Sequence, residues 1–331
     1  MEVNKQKESS KYVKGKLIGK GSFGEVHIAT LSSEKNNSRP VRYAIKSFKL
    51  ENTNEKHLQN QTITFKQEIE TLVKLSDVHI IKIIDAKRLP KEICIVLEYA
   101  NGGNLKDYCS KYKDKNKTLL PERLIQYFAL QILKGLEYLH NNKNIAHRDI
   151  KLENILLHFP ERYEVDIDNL NIEDVENHCI LKIADLGLAK NFGNTQTVCG
   201  TKINMAPEVF KRKPYNYKVD LWSLGTVLFE LAFGKIPPMV TLLMNNSIRS
   251  YINEDVTISH ELLSFMNSLL QFDPEKRIDW NEIKSHDFLN KKVSEFKETK
   301  IKKEEFISVV YRQKIPDEEK KKKKKKKILL K

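Results

Sequence analysis

The sequence predicts an α+β fold with two lobes, the first rich in strands and the second mainly helical. Two short β-branched or aromatic runs bounded by polar loops, YAIKSF (43–48) and ICIVLEY (93–99), predict strands in the first hundred residues. After the Asn-Gly-Gly sequence at 101–103, apolar residues recur at helical spacing instead. With 331 residues, the chain is long enough for two lobes that each have a core.

The helices are predicted from the spacing of apolar residues. TFKQEIETLVKL (64–75) predicts one helix between the two strands. Its apolar face would consist of Phe65, Ile69, Leu72 and Leu75. RLIQYFALQILKGLEYLH (123–140) predicts a second helix, and LWSLGTVLFELAFG (221–234) predicts a buried helix, too short to cross a bilayer.

Two polar segments are predicted to be surface insertions. The first is LSSEKNNSRP, residues 31–40. The second is the acidic run FPERYEVDIDNLNIEDVENH, residues 159–178, whose role the sequence leaves open.

Cysteine usage and the N-terminus predict an intracellular protein. The four cysteines lie far apart, without the spacing of a metal site or a disulfide framework. They are Cys94, Cys109, Cys179 and Cys199. Residues 1–11 are predicted to form a polar N-terminal extension without the apolar core of a signal peptide. We expect a cytoplasmic location, with a nuclear location as the alternative.

Positive charge is concentrated at the C-terminal end. Residues 290–331 contain 17 Lys/Arg and 7 Asp/Glu and so hold +10 of the formal net charge of +14. The eight consecutive lysines at 320–327 repel one another, and 290–331 is therefore predicted to be a largely disordered, solvated tail. The alternatives are a nuclear import signal, or a weak electrostatic contact with an anionic membrane or nucleic acid.

The stretch GKGSFGEV (19–26) places Gly19, Gly21 and Gly24 at the spacing G-x-G-x-x-G. Without a Cβ, glycines let backbone N–H groups approach a phosphate closely. In a dinucleotide-binding unit this loop opens a helix, whereas the following EVHIATL has the period of a strand. We therefore predict a hairpin over phosphates, with a glycine-rich turn that binds nothing as the alternative.

Further motifs follow the glycine loop. They are Lys46 in YAIK, Glu68 in the first predicted helix, HRDIKLEN (147–154), DLG (185–187), APE (206–208) and DLWSLG (220–225). With these ordered motifs the chain resembles the eukaryotic protein kinases over residues 12–289. Lys151 and Thr201 are similar to those of the serine/threonine-specific branch. The resemblance implies a two-lobed kinase fold, with an N-lobe at 12–100 and a C-lobe at 101–289.

The resemblance implies a nucleotide site for ATP beneath the glycine loop. Lys46 would hold the α- and β-phosphates, and Glu68 would orient Lys46 as an ion pair. Glu70 is an alternative partner, although it lies on another face of the helix. The adenine pocket would be formed by Val26, Ala44, Leu97, Glu98, Ala100 and Leu156.

The catalytic residues are likewise implied by the resemblance. Phosphoryl transfer needs positioning and charge neutralisation more than covalent help. Asp149 would accept the proton of the attacking hydroxyl, and Lys151 would steady the γ-phosphoryl group. Asn154 and Asp185 would hold Mg²⁺, a hard cation that prefers oxygen ligands.

Other matching residues would have structural roles. The regulatory spine would consist of Leu72, Ile83, His147 and Leu186. Glu208 and Arg277 match a buried ion pair between the end of the activation segment and the C-lobe. Asp220 would accept backbone N–H bonds near His147 and Arg148.

In the family, the arginine that matches Arg148 pairs with a phosphate on the activation segment. Thr195 and Thr197 are the candidates here, and we favour Thr197 because it lies four residues before Thr201. A phosphate would add roughly −1.5 to −2 charge. It would order the loop against Arg148 and Lys190.

Three features depart from the family pattern. Leu186 replaces the usual phenylalanine, residues 159–178 lengthen the connection between Asn154 and Asp185, and Asn204 lies where an aromatic residue is common. The motifs NGGNLKDY, LKIADLG and MAPEV are somewhat similar to those of the unc-51-like (autophagy-initiating) kinases. Calcium/calmodulin-dependent-type kinases are the alternative.

The function implied by the resemblance is that of a monomeric serine/threonine protein kinase whose partners are ATP and a protein substrate. A pseudokinase scaffold is the first alternative, but such proteins usually lack a residue matching Lys46, Asp149 or Asp185. A small-molecule kinase is the second. It is disfavoured by Thr201 and the APE motif, which build a peptide-docking loop.

Overall fold

The structure of the protein is a computed structural model. It describes residues 11–21, 24–34, 40–50, 55–89, 92–160, 165–166, 169–191, 200–201, 204–235 and 256–301. The predictions made for residues 1–10, Thr195, Thr197, Cys199 and the lysine run at 320–327 lie outside the described residues. Within them, no helix combines the length and apolar character that a membrane span needs.

The N-terminal half is a five-stranded antiparallel sheet with a long helix packed against it, in the strand order β1-β2-β3-β5-β4. Its elements are β1 (Tyr12–Gly21), β2 (Gly24–Leu31), β3 (Tyr43–Lys49), α1 (Glu55–Leu72), β4 (Ile83–Arg88) and β5 (Glu92–Glu98). The strands predicted at 43–48 and 93–99 are confirmed as β3 and β5. Helix α1 begins earlier than predicted and ends at Leu72, so Leu75 lies in the turn that follows and is still buried.

The C-terminal half is mainly helical. Its helices are α2 (Leu105–Asn116), α3 (Glu122–Glu137), α4 (Ile172–His178), α5 (Pro207–Phe210), α6 (Lys218–Phe233), α7 (His260–Leu269), α8 (Trp280–Ser285) and α9 (Asp287–Asn290). The helices predicted at 123–140 and 221–234 are confirmed by α3 and α6. Every residue of α6 from Val219 to Ala232 is buried, because this helix is packed on all sides by the lobe.

Short strands hold the loops of the C-terminal half in place. They are β6 (Ile145–Ala146), β7 (Ile155–His158), β8 (Ile180–Ile183), β9 (Lys190–Asn191), β10 (Val256–Ser259) and β11 (Glu298–Ile301). Strand β7 pairs with β8, and β6 pairs with β9, both antiparallel. The loops 147–154 and 184–189, which connect these strands, therefore lie side by side.

The acidic segment 159–178 is only partly a surface insertion. Phe159 at its start is buried, and Val175 in α4 is buried against the main core. Arg123 of α3 forms an ion pair with Glu176 of α4, with 3.0 Å between Nε and Oε1. The prediction is wrong for these two ends, because single apolar residues among acidic ones are sufficient to dock the seven-residue helix α4.

The C-terminal segment is ordered further than the sequence indicates. Strand β11 pairs antiparallel with β10, and the backbone N–H of Lys297 donates to Oε2 of Glu261 at 3.0 Å. The ring of Phe296 lies 5.8 Å from that of Phe288. The prediction of disorder from residue 290 onward is therefore wrong for 290–301, since an apolar anchor lies within a Lys/Glu-rich stretch.

Candidate active site

A lysine from the sheet joins two carboxylates from different parts of the chain. Nζ of Lys46 lies 2.8 Å from both carboxylate oxygens of Glu68 on α1. It also lies 2.9 Å from Oδ1 of Asp185, which follows β8. Glu70 instead lies 3.9 Å from Lys66, so the partner of Lys46 is Glu68.

The ionisation of this triad follows from its burial and its one shared cation. Burial disfavours the charged form of Lys46, but the two carboxylates outweigh it and raise the pKa of Lys46 above its usual value. Burial likewise disfavours ionised Asp185, but the charge of Lys46 outweighs this and lowers the pKa of Asp185. Lys46 and Asp185 are therefore charged at neutral pH, as a phosphate- and metal-binding pair requires.

A second polar cluster is centred on Asp149. Its Oδ1 accepts hydrogen bonds from the backbone N–H and the hydroxyl of Thr201, at 2.8 and 2.7 Å. Its Oδ2 accepts from Nζ of Lys151 at 2.7 Å and from Nδ2 of Asn154 at 3.0 Å. Nζ of Lys151 also donates to the hydroxyl of Thr201 at 2.8 Å. The carboxylate is thus fixed by four donors, although it comes from a loop.

The two clusters are joined through Asn154. The backbone N–H of Ala184, which precedes Asp185, donates to the carbonyl of Asn154 at 2.9 Å. Because Nδ2 of Asn154 donates to Asp149, the amide oxygen of Asn154 is its remaining ligand atom. One amide oxygen and one carboxylate form an oxygen donor set that fits Mg²⁺, which usually retains waters and phosphate oxygens as further ligands. Among the described residues, no group of three His, Cys, Asp or Glu side chains could hold a metal ion.

Two residues of this region have left-handed backbone conformations that are costly for residues other than glycine. They are Arg148, with φ of 70°, and Asp185, with φ of 62°. The first is held by Asp220, whose Oδ1 accepts from the N–H of Arg148 at 2.7 Å and whose Oδ2 accepts from the N–H of His147 at 2.8 Å. The predicted contacts of Asp220 are present.

The face of the sheet that carries Lys46 also carries three of the six residues of the predicted adenine pocket. Val26 pairs with Lys46 across β2 and β3, and Ala44 pairs with Leu97 across β3 and β5. Since side chains alternate between faces along a strand, these four share one face. The other predicted members adjoin it: Glu98 ends β5, Ala100 is buried just beyond, and Leu156 lies on β7.

The three glycines of the loop lie at the end of the β1–β2 hairpin. Gly19 pairs with Val26, and Gly21 pairs with Gly24. Gly24 has φ of 123°, and a Cβ there would lie 2.3 Å from the carbonyl oxygen of Ser47. This position therefore requires glycine, and the hairpin predicted from the sequence is present.

The predicted spine and ion-pair residues are brought together in the interior. Leu72, His147 and Leu186 are buried, and Ile83 is half-buried against the same core. Leucine thus fills the position where the family has phenylalanine. Arg277, 1% exposed, donates from both terminal nitrogens to the carboxylate of Glu208, at 2.7 and 3.0 Å.

Arg148 lies close to the start of the activation segment. Its Nε donates to the carbonyl of Leu188 and its Nη1 donates to the hydroxyl of Tyr215 at 3.1 Å. Lys190 pairs with Ala146, two residues before Arg148, in the β6–β9 ladder. Thr197, the predicted phosphate acceptor, lies outside the described residues.

The sequence reasoning missed one buried cation at the junction of the two halves. Lys182 of β8 donates to Oε1 of Glu98 at 2.9 Å and to the carbonyl of Val78 at 3.1 Å. The same Glu98 oxygen accepts from the backbone N–H of Lys82 at 2.7 Å. The signal in the sequence is a lone lysine within the apolar strand ILKI, a residue type that is rarely buried without a partner.

Comparisons with known proteins agree with this geometry. A family model described as the protein kinase domain matches residues 12–289. Serine/threonine-protein kinase ATG1c of Arabidopsis thaliana is 32% identical over 293 residues, which cover 86% of this chain and 36% of that protein. Serine/threonine-protein kinase atg1 of Dictyostelium discoideum is 33% identical over 294 residues, which cover 84% and 39%.

Similarity extends beyond the ATG1 proteins. Serine/threonine-protein kinase Nek8 of Danio rerio is 32% identical over 286 residues, which cover 83% of this chain and 36% of that protein. The chain thus spans less than two fifths of the length of these three relatives. The ATG1 proteins support the resemblance to unc-51-like kinases. By its family match, its relatives and its fold, this chain belongs to the protein kinase family, with relatives of the serine/threonine type.

Proposed function

We propose that the chain transfers the γ-phosphoryl group of ATP to serine or threonine hydroxyls of proteins. The observation that supports this most strongly is the linkage of the Lys46–Glu68–Asp185 triad to the Asp149 cluster through Asn154. A scaffold that only binds partners has no need for a carboxylate held by four donors beside a charged lysine.

In the proposed reaction, Asp149 accepts the proton of the substrate hydroxyl as that oxygen bonds to the γ-phosphorus and the bond to ADP breaks. Thr201 and Lys151 hold the Asp149 carboxylate in one orientation through its two oxygens. The ammonium of Lys151 is positioned to offset the charge of the transferring group. Lys46, oriented by Glu68, neutralises the phosphates that remain on ADP.

We propose that Asn154 and Asp185 hold Mg²⁺ together with ATP. The ion would supply charge neutralisation at the phosphate oxygens. The lowered pKa of Asp185 keeps its carboxylate charged, and carboxylate oxygens are ligands that Mg²⁺ prefers. Both properties support this assignment. We expect ATP to raise the melting temperature of the wild type more with Mg²⁺ than with EDTA, and Asp185→Asn to abolish this difference. An equal Mg²⁺ effect in Asp185→Asn would contradict the assignment.

The activity is tested by ATP turnover with a generic basic protein as substrate, in the wild type and in Asp149→Asn. Loss of a general base is expected to lower turnover by about 10²–10⁴-fold. Asp149→Asn should keep the ATP-dependent rise in melting temperature, whereas Lys46→Met should lose it. Equal turnover in the wild type and Asp149→Asn would favour the scaffold.

We propose that phosphorylation of Thr197 raises activity. Arg148, whose side chain reaches the carbonyl of Leu188, and Lys190, whose strand β9 pairs with β6 close to Arg148, support this because they would pair with a phosphate. After expression and incubation with ATP, we expect Thr197→Ala to be less active than the wild type, and Thr195→Ala to serve as the matched control. Unchanged activity in Thr197→Ala would contradict the proposal.

We also propose that the monomeric protein, in the cytoplasm or the nucleus, makes only charge-dependent contacts through its lysine tail. Deletion of 320–327 is expected to abolish cosedimentation with anionic lipid vesicles at low salt. The wild type should lose this binding at high salt, because exposed charges are screened. Binding that survives high salt would contradict a contact made by charge alone.

A further inference from the structure

A chain of contacts leads from the catalytic cluster to the surface beside it. Thr201, which forms hydrogen bonds with Asp149, lies three residues before Asn204. Asn204 is buried, and its Nδ2 donates to the hydroxyl of Thr226 on α6 at 2.7 Å. This contact places α6 against the segment that follows Thr201.

One helical turn beyond Thr226, α6 presents Glu230, which is only 8% exposed. Its Oε1 accepts a hydrogen bond from Nζ of Lys106, in the first turn of α2. The side chain of Lys106 is 36% exposed, so this lysine covers the carboxylate from the solvent side. Glu230 is therefore neutralised from within the chain.

The same lysine also faces the catalytic loop. Glu153, exposed on the short helical turn Leu152–Asn154, lies two residues after Lys151. Burial disfavours charged Lys106, but the hydrogen bond and charge of Glu230, with a smaller contribution from Glu153, outweigh it and raise its pKa. One lysine thus serves a carboxylate of α6 and a carboxylate of the loop that carries Asp149.

We infer that Lys106 is a specificity-determining residue, which neutralises Glu230 and so keeps the substrate surface from selecting arginine or lysine near the phosphorylated residue. A substrate cation would have to displace a tethered ammonium from a nearly buried carboxylate. It would therefore gain little net attraction. The substrates therefore need no arginine or lysine beside the acceptor. This inference rests on the proposed kinase function.

The test uses serine peptides in which arginine, leucine or glutamate is placed in turn at each position from five before to three after the serine. With the wild type, we expect kcat/KM for every arginine peptide to lie within about threefold of its leucine counterpart, a difference below about 0.7 kcal/mol. Lys106→Met keeps the apolar stem and removes the charge. For this variant, kcat/KM of the arginine peptide should exceed that of the leucine peptide at least tenfold at one position, chiefly because its KM is lower.

Two control variants isolate the contact. Lys115→Met, an exposed position in the last turn of the same helix, should match the wild type. The double variant Lys106→Met/Glu230→Gln should lose the gained preference, because no buried carboxylate is left to attract arginine. It also removes the unpaired charge that could unfold the single variant.

The outcomes separate the two proposals. A wild type that already selects arginine tenfold overturns the inference, whatever the stability of the variants. An active Lys106→Met with an unchanged peptide profile overturns it as well. A wild type that phosphorylates no peptide or protein overturns the kinase function, and this inference with it.

Discussion

At the scale of single residues, fully buried charges hold the catalytic loop in its strained shape. Asp220 is 0% exposed and accepts hydrogen bonds from two successive backbone N–H groups; Nε2 of His140 lies 2.8 Å from its Oδ2. These bonds hold Arg148 in a conformation that it would not adopt alone. The position of Asp149, the next residue, therefore depends on a carboxylate 71 residues away.

The ionisation of Asp220 predicts a pH dependence of stability. Burial disfavours its charged form, but the hydrogen bond from His140 and other donors outweigh it and lower its pKa. Because the folded pKa lies below the unfolded value of about 3.9, the contribution of Asp220 is fully present above that value. It is lost as the pH falls through the folded pKa.

We expect Asp220→Asn to be less stable than the wild type at pH 7, and the difference to shrink below about pH 4, where Asp220 of the unfolded wild type becomes protonated while the folded carboxylate is still charged. Urea unfolding of both proteins between pH 7 and pH 3 measures this difference, while other acids titrate alike in both. A difference that stays constant over the whole range would contradict this explanation.

The buried pair of Glu208 and Arg277 gives a second prediction at this scale. Glu208→Ala leaves the guanidinium buried without its carboxylate and should lower the free energy of unfolding by about 3–5 kcal/mol. The double variant Glu208→Ala/Arg277→Met should be less destabilised than Glu208→Ala alone. Urea unfolding checks both, and a single variant as stable as the wild type would be inconsistent with a desolvated pair.

At the scale of elements, short strands do more to position the site than the long helices. The four-residue strands β7 and β8 bring Asn154 and Asp185 together, and the β1–β2 hairpin places Gly24 beside the Ser47 carbonyl, one residue after Lys46. Strand β11, near the C-terminal end of the described residues, organises another part of the C-terminal half. It pairs with β10 and so extends the folded unit beyond residue 289.

The pairing of β11 with β10 predicts how truncation of the C-terminal segment changes stability. Removal of 291–331 takes away β11 and Phe296, and it should lower the free energy of unfolding by about 1–3 kcal/mol. It should also increase amide hydrogen exchange in β10, which loses its partner strand. Removal of 302–331 alone is the matched control and should change neither. Equal stability of the two truncated proteins would show that 291–301 contributes nothing.

At the scale of the whole molecule, the N-terminal sheet and the C-terminal half meet at a buried polar contact. Lys182 of β8 reaches Glu98 at the end of β5 and also the loop after α1, through the carbonyl of Val78. The backbone N–H of Ile183 donates to the carbonyl of His79 at 2.7 Å. This contact fixes where the two halves join, beside the predicted adenine pocket.

We expect Lys182 and Glu98 to be energetically coupled. A double-mutant cycle with Lys182→Met and Glu98→Gln, measured by urea unfolding, should give a coupling free energy of about 0.5–3 kcal/mol. Lys14→Met and Glu92→Gln, an ion pair within the sheet whose side chains are 30% and 23% exposed, form the comparison cycle and should give less. Similar coupling in both cycles would contradict a special role for the contact between the halves.

The sequence by itself determined the lobes, the order of the motifs and the residues that meet at the active site. The lobes are written in local patterns of strand and helix period, whereas the residues that meet at the active site, with Lys46 and Asp185 lying 139 positions apart, follow from the resemblance of the ordered motifs to the protein kinases. Only the tertiary structure decided the rest, namely the Lys182–Glu98 and Lys106–Glu230 contacts, the docking of α4 and the pairing of β11. Each joins residues more than 80 positions apart or depends on one apolar side chain in a polar stretch, and neither leaves a periodic signal in the sequence.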